Sequence, residues 1–262
     1  MRLLVNGIET FTATGGRNPD PALPFVVFLH GAGLDHSVWA LLSRWFAHHG
    51  WNVLAPDLPG HGRSRGEALQ SIGAMAEWTA ALIATANAGA ARLIGHSMGS
   101  LIALETAARH PHLVASLGLI GTAAAMPVSA ELLKAAKADD HAAVEMVSIW
   151  GHGARATQGG SLLPGLWMLG GAERLLERAG AGVLFKDLAA CNDYRDGLGS
   201  AAKVGVPVTL ILGERDLMTP AKAGKTLAAA FPSARVVILK GAGHLLMSER
   251  PDEVLEALRS DV

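Results

Sequence analysis

The chain has 262 residues, half of them apolar and 17% charged, a composition that supports a sizeable core and excludes disorder. A net charge of −1 leaves no global electrostatic reason to bind nucleic acid or an anionic membrane surface, so a small molecule is the expected partner. Cys191 is the only cysteine, which rules out an intramolecular disulfide and a four-cysteine metal site and suits a reducing, cytoplasmic compartment. No apolar run approaches the roughly 18 residues of a membrane span, and the opening MRLLVNGIET is too brief an apolar stretch for a secretory leader.

The first segment reads as an edge hairpin turning at Asn6-Gly7, a pair that tolerates positive φ. After the Pro-rich RNPDPALP comes FVVFLH, a dense run suited to a strand buried on both faces. From there the pattern alternates. SVWALLSRWFAHHG is helical, WNVLAP a strand, SIGAMAEWTAALIATANAG helical, ARLIGHS a strand into a turn, MGSLIALETAARH helical and LVASLGLIG a strand. Such alternation predicts a parallel sheet of right-handed βαβ units. Between residues 123 and 200 the strand signal vanishes into helix formers broken by glycine-rich stretches, which predicts an inserted lid, with the glycines of residues 151–160 able to serve as hinges. Strands resume at VPVTLILG and ARVVILKG, with helices at PAKAGKTLAAAF and PDEVLEALRSDV. The expected organisation is a core of residues 1–122 and 201–262 with a helical cap at 123–200.

One stretch carries chemistry. GHSMG lies between a predicted strand and a predicted helix, the setting that separates a nucleophile elbow from a chance G-x-S-x-G match. A serine on so sharp a bend is strained, and side chains two positions either side would collide with it, which is why Gly95 and Gly99 flank Ser97. Serine alone is a weak nucleophile and needs a base and an orienting acid. Asp216, in GERD, and His244, in GAGH, each follow a predicted strand and complete the chain order Ser, Asp, His.

Four motifs in order, HGAG, DLPGHGRS, GHSMG and the pair GERD and GAGH, resemble those of the α/β-hydrolase superfamily over essentially the whole length. The resemblance implies an α/β fold with a mostly parallel eight-stranded sheet, flanking helices and an inserted cap. It implies that Ser97 attacks, His244 relays the proton and Asp216 orients the imidazole, with the backbone N–H groups of Ala32 and Met98 as the oxyanion hole. Glu214 is a weaker candidate for the acid, and His96 is expected to hydrogen-bond locally rather than catalyse. Lid residues mix core with pocket. Met126, Trp150 and Trp167, with Leu245 beside the histidine, are the chosen substrate contacts, while Met146, Leu163 and Met168 are left between the two roles. No metal and no cofactor is expected.

The expected function is a serine hydrolase of a small to medium, largely uncharged ester. The same triad also serves carbon–carbon bond hydrolases of ring-fission diketones, thioesterases and cofactor-free perhydrolases. A non-enzymatic alternative is a ligand sensor with slow turnover. Oligomeric state, monomer or homodimer, stays open.

Overall fold

Asn6 and Gly7 both adopt positive φ, 49° and 78°, and close a tight turn between β1 (Arg2–Val5) and β2 (Ile8–Ala13), which pair antiparallel. The structure, a computed structural model, describes residues 1–160, 165 and 167–259. The next buried run forms β3 (Phe25–Leu29), every residue of which is buried. The segment after it opens with a single 3₁₀ turn at His36–Trp39, capped by the Asp35 carboxylate, and only then becomes α1 (Ala40–Ala47). β4 (Asn52–Pro56), α2 (Ile72–Thr85), β5 (Ala91–His96), α3 (Met98–Arg109) and β6 (Val114–Ile120) follow in strict alternation.

Between β6 and the next strand the chain is helical: α4 (Ala130–Lys137), α5 (His141–Trp150), α6 (Ala154–Thr157), α7 (Met168–Glu177), α8 (Val183–Asp193) and α9 (Gly197–Lys203). The excursion leaves and returns at one spot. A side chain at Gly197 would collide with the Ala124 carbonyl, so the two stems lie against each other. The remaining elements are β7 (Val208–Gly213), α10 (Ala221–Ala228), β8 (Ala234–Leu239), α11 (Leu246–Glu249) and α12 (Pro251–Arg259).

The eight strands form one sheet in the order β1-β2-β4-β3-β5-β6-β7-β8, with only β2 running against the rest. Alternate residues of β3 divide between two cores. Val27 and Leu29 pack with α2 and α3 on one face, and Val26 and Phe28 pack with α1 and α12 on the other. There Phe28 meets Trp39 and Phe46 at centroid distances of 5.1 and 5.6 Å. A third cluster, with Leu34, Leu132, Leu176 and Leu188, joins the inserted helices to the core. The strand order reverses at β3, which is flanked by β4 and β5, and the loops leaving β3 and β5 at that switch point are where a ligand cleft is expected. No helix among the described residues is long and apolar enough to cross a membrane.

Candidate active site

Ser97 stands between β5 and α3 with φ 53° and ψ −119°, a conformation that a non-glycine residue adopts only when its surroundings enforce it. Its N–H is tied to the Ile120 carbonyl of β6 at 2.9 Å. The flanking glycines are spatially required. A Cβ on Gly95 would overlap the Gly99 carbonyl, and one on Gly99 would overlap the Leu29 and His30 backbone. α3 therefore starts almost in contact with the end of β3, and this brings the HGAG loop beside the serine. A Cβ on Gly31 would lie 3.3 Å from Ser97 Cβ.

The candidate acid and base, Asp216 and His244, follow the ends of β7 and β8. The Asp216 carboxylate closes a tight turn, accepting the N–H groups of Met218 and Thr219 at 2.8 Å each and the Thr219 hydroxyl at 2.7 Å. His244 Nδ1–H donates to Asp216 Oδ2 at 2.7 Å, and the Thr219 oxygen lies 3.2 Å from the same nitrogen. Burial alone would push the Asp216 carboxyl up. The His244 ring and the Thr219 donors outweigh it and hold the group below the usual carboxylate range. With the proton held on Nδ1, His244 Nε2 is an acceptor, and it is a buried atom with no hydrogen-bond partner among the described residues.

Ser97 and His244 line one cavity of about 210 Å³ together with Ala32, Met126, Trp150 and Leu245. Its walls are mostly apolar. Leu184, Leu188 and Cys191 of α8, and Leu176 of α7, face it from the inserted helices. Trp167, chosen from the sequence as a fourth substrate contact, lies elsewhere. Its ring folds back over Gly170 of its own helix, it is 65% exposed, and it borders a separate cavity near Leu41. The inner face of α7 is presented two turns further on, at Leu176. Leu163 lies outside the described residues. Met98 opens α3, so its N–H has no carbonyl to reach within the helix.

Other polar groups brace this arrangement. His96 Nε2–H donates to the His244 carbonyl at 2.9 Å. Burial, and then the neighbouring His244 ring, push His96 down to about 3, so the ring is neutral. Glu214 accepts only the Gly241 N–H at 3.0 Å among the described residues and stays outside the cavity. The 151–160 segment starts as a clamp rather than a hinge, because the Gly151 carbonyl accepts the N–H groups of His244 and Leu245 at 2.9 Å each. The Glu249 carboxylate then ties Gly153 to Gly243. Ligand atoms of Asp35, His36 and Asp57 lie within 4.8 Å of one another, but the Arg178 guanidinium already sits on Asp35, and Asp57 accepts the His36 ring. Thr219, Glu249 and the α8 face carry no motif, and sequence reasoning did not find them.

Comparison with known proteins agrees with this geometry. The sequence matches the family described as "Alpha/beta hydrolase family" over residues 26–257. It is 34% identical to a pimeloyl-[acyl-carrier protein] methyl ester esterase of Chromobacterium violaceum, over 96% of this chain and 97% of the relative. A protein of the same description from Aromatoleum aromaticum is 31% identical over 88% of this chain and 94% of its own length. Among solved structures, an enol-lactonase from Burkholderia xenovorans superposes with a TM-score of 0.89 at 25% identity, covering 99% of this chain and 98% of that one. Because the match runs from β3 into α12, the chain belongs to the alpha/beta hydrolase family, and its activity is ester hydrolysis.

Proposed function

We propose that the chain is a serine hydrolase that cleaves a small to medium, largely uncharged ester through an acyl-enzyme. The observation that carries this reading is the buried His244, held by Asp216 on one nitrogen and left with a free acceptor on the other, in the wall of the cavity that holds Ser97. In this scheme His244 Nε2 takes the Ser97 proton as Oγ attacks the ester carbonyl. The oxyanion that forms is met by the N–H groups of Ala32 and Met98. The proton then passes from His244 to the leaving alcohol, and water repeats the sequence to release the acid. Residues 123–200 act as the lid, whose leucines and Met126 would hold an aliphatic acyl chain.

Two relatives are described as acting on a carrier-bound methyl ester, so methyl esters of aliphatic acids are the first physiological type to try. A thioesterase, a carbon–carbon hydrolase, a perhydrolase or a slow ligand sensor on the same triad rank behind an esterase, since no separate observation favours any of them. The cytoplasm is the proposed location, where the buried thiol of Cys191 stays reduced. The proposed partner is a small molecule, with neither nucleic acid nor membrane as ligand, and either monomer or homodimer accommodates the scheme.

The test is turnover of p-nitrophenyl acetate and butyrate together with fluorophosphonate labelling. Ser97→Ala is expected to lower kcat by about 10⁶-fold and to abolish the label. A variant that keeps turnover within tenfold of the native chain would remove the reading.

A further inference from the structure

The oxyanion loop is gripped from the side of the inserted helices. The N–H of Gly33, the residue after Ala32, donates to Asp187 Oδ2 at 2.8 Å across 154 positions of sequence. The same oxygen lies 2.8 Å from Nε2 of His61, in the DLPGHGRS loop. Asp187 and His61 are 0% and 2% exposed. Asp187 belongs to α8, and its neighbours Leu184, Leu188 and Cys191 face the cavity. α8 also rests directly on the loop. Gly33 has φ +67°, and a Cβ there would lie 2.9 Å from Leu184 and 3.0 Å from Leu176.

The charge on His61 follows from its two contacts. Nδ1 lies 3.0 Å from the Pro59 carbonyl, which can only accept, so that nitrogen bears a proton. Nε2 faces a carboxylate, which also accepts, so the ring donates at both ends and is an imidazolium. Burial opposes that state, but Asp187 beside it, the Pro59 carbonyl and the more distant Asp57 raise its proton affinity above the usual histidine value. His30, whose ring centroid is 4.9 Å away, takes the opposite state, because its Nε2 accepts the Leu58 N–H at 3.1 Å and its Nδ1 donates to the Gly31 carbonyl. The Cys191 thiol, which also feels Asp187, is kept protonated by burial.

We propose that the buried Asp187–His61 ion pair is a positioning device for the oxyanion hole, fixing the Ala32 peptide by gripping the N–H of Gly33 next to it. The proposal rests on the reading of Ala32 and Met98 as the oxyanion donors. Neither charged residue touches substrate. Both act through the loop, and they tie its geometry to the helix that contacts the acyl chain. A donor displaced by even a fraction of an ångström from the developing oxyanion loses much of its effect on the transition state and little of its effect on ground-state binding.

The experiment compares Asp187→Asn and His61→Gln with the native chain on p-nitrophenyl butyrate and on its thiono counterpart, in which sulfur replaces the carbonyl oxygen and accepts oxyanion-hole hydrogen bonds poorly. Both variants are expected to lose at least about tenfold in kcat with KM changed less than about threefold, and the oxo-to-thiono rate ratio is expected to shrink. A purely structural pair would lower the unfolding temperature and leave that ratio intact. Folded variants whose kcat and ratio stay within about twofold of native would overturn the proposal. Should neither variant fold, ¹⁵N resonances of the native His61 ring decide. Two protonated nitrogens at pH 7 support the pair, and a neutral ring overturns it. A native enzyme with no oxo-to-thiono preference would instead overturn the oxyanion-hole reading itself, and an active Ser97→Ala would overturn the serine-hydrolase reading beneath it.

Discussion

Thr219 illustrates how much of a candidate site can hide in an unremarkable residue. Three of the hydrogen bonds around the acid and the base run through it: its N–H and hydroxyl to Asp216, and its oxygen near His244 Nδ1. Thr219→Val keeps the shape and the N–H but removes the hydroxyl, and kcat is expected to fall about tenfold with KM nearly unchanged, measured on p-nitrophenyl butyrate. An unchanged kcat would show that the backbone donors alone hold the carboxylate. Ser97 and its two glycines were legible in the sequence because the constraint is local, a bend that cannot hold a Cβ two positions away. Asp216 and His244 were legible because each follows a strand. Thr219 and Asp187 were not, since their meaning arises from partners 25 and 154 residues away along the chain and no spacing rule announces them.

At the scale of elements, strands and core helices were legible almost to their ends, since buried β-branched runs and helical periods differ sharply. The segment after β3 was read as one helix and begins as a 3₁₀ turn, because the Asp35 side chain caps it early at the Ser37 N–H. The inserted helices were legible as helices only. Their apolar faces meet both core and cavity, and the spacing of Trp150, Trp167 and Met168 does not distinguish the two. α8 turns out to supply much of the cavity wall, through Leu184, Leu188 and Cys191. Leu188→Phe is therefore expected to shorten the acyl site, cutting kcat/KM for a hexanoate ester relative to an acetate by about tenfold while leaving Ser97 labelling intact. An unaltered chain-length profile would place the acyl group on another wall.

Across the whole molecule, two buried rings couple stability to acidity. Burial, and then the neighbouring His61, hold His30 down at about 4, and His96 sits at about 3, both depressed from the ordinary histidine value of 6.5. A depressed folded value means that the unfolded chain binds the extra proton first. Each ring thus contributes its stability in full above about pH 6.5 and loses it as pH falls toward the folded value. The unfolding free energy is expected to decline by up to about 1.4 kcal/mol per pH unit for each ring between pH 6.5 and 4. His61, raised rather than depressed, acts with the opposite sign and weakens the fold toward alkaline pH. Urea midpoints across pH 4–9 test this, and a flat profile from 6.5 to 4.5 would contradict it.

The meeting of Ala124 with Gly197 has a further bearing on how such a protein diversifies. A polypeptide excursion whose two stems meet at one neck can grow, shrink or be exchanged while the sheet beneath keeps its hydrogen-bonding register. New selectivity can then be sampled in the helices, with two restrictions: any replacement must still offer a carbonyl where Gly151 now receives the His244 N–H, and a carboxylate where Asp187 now reaches down.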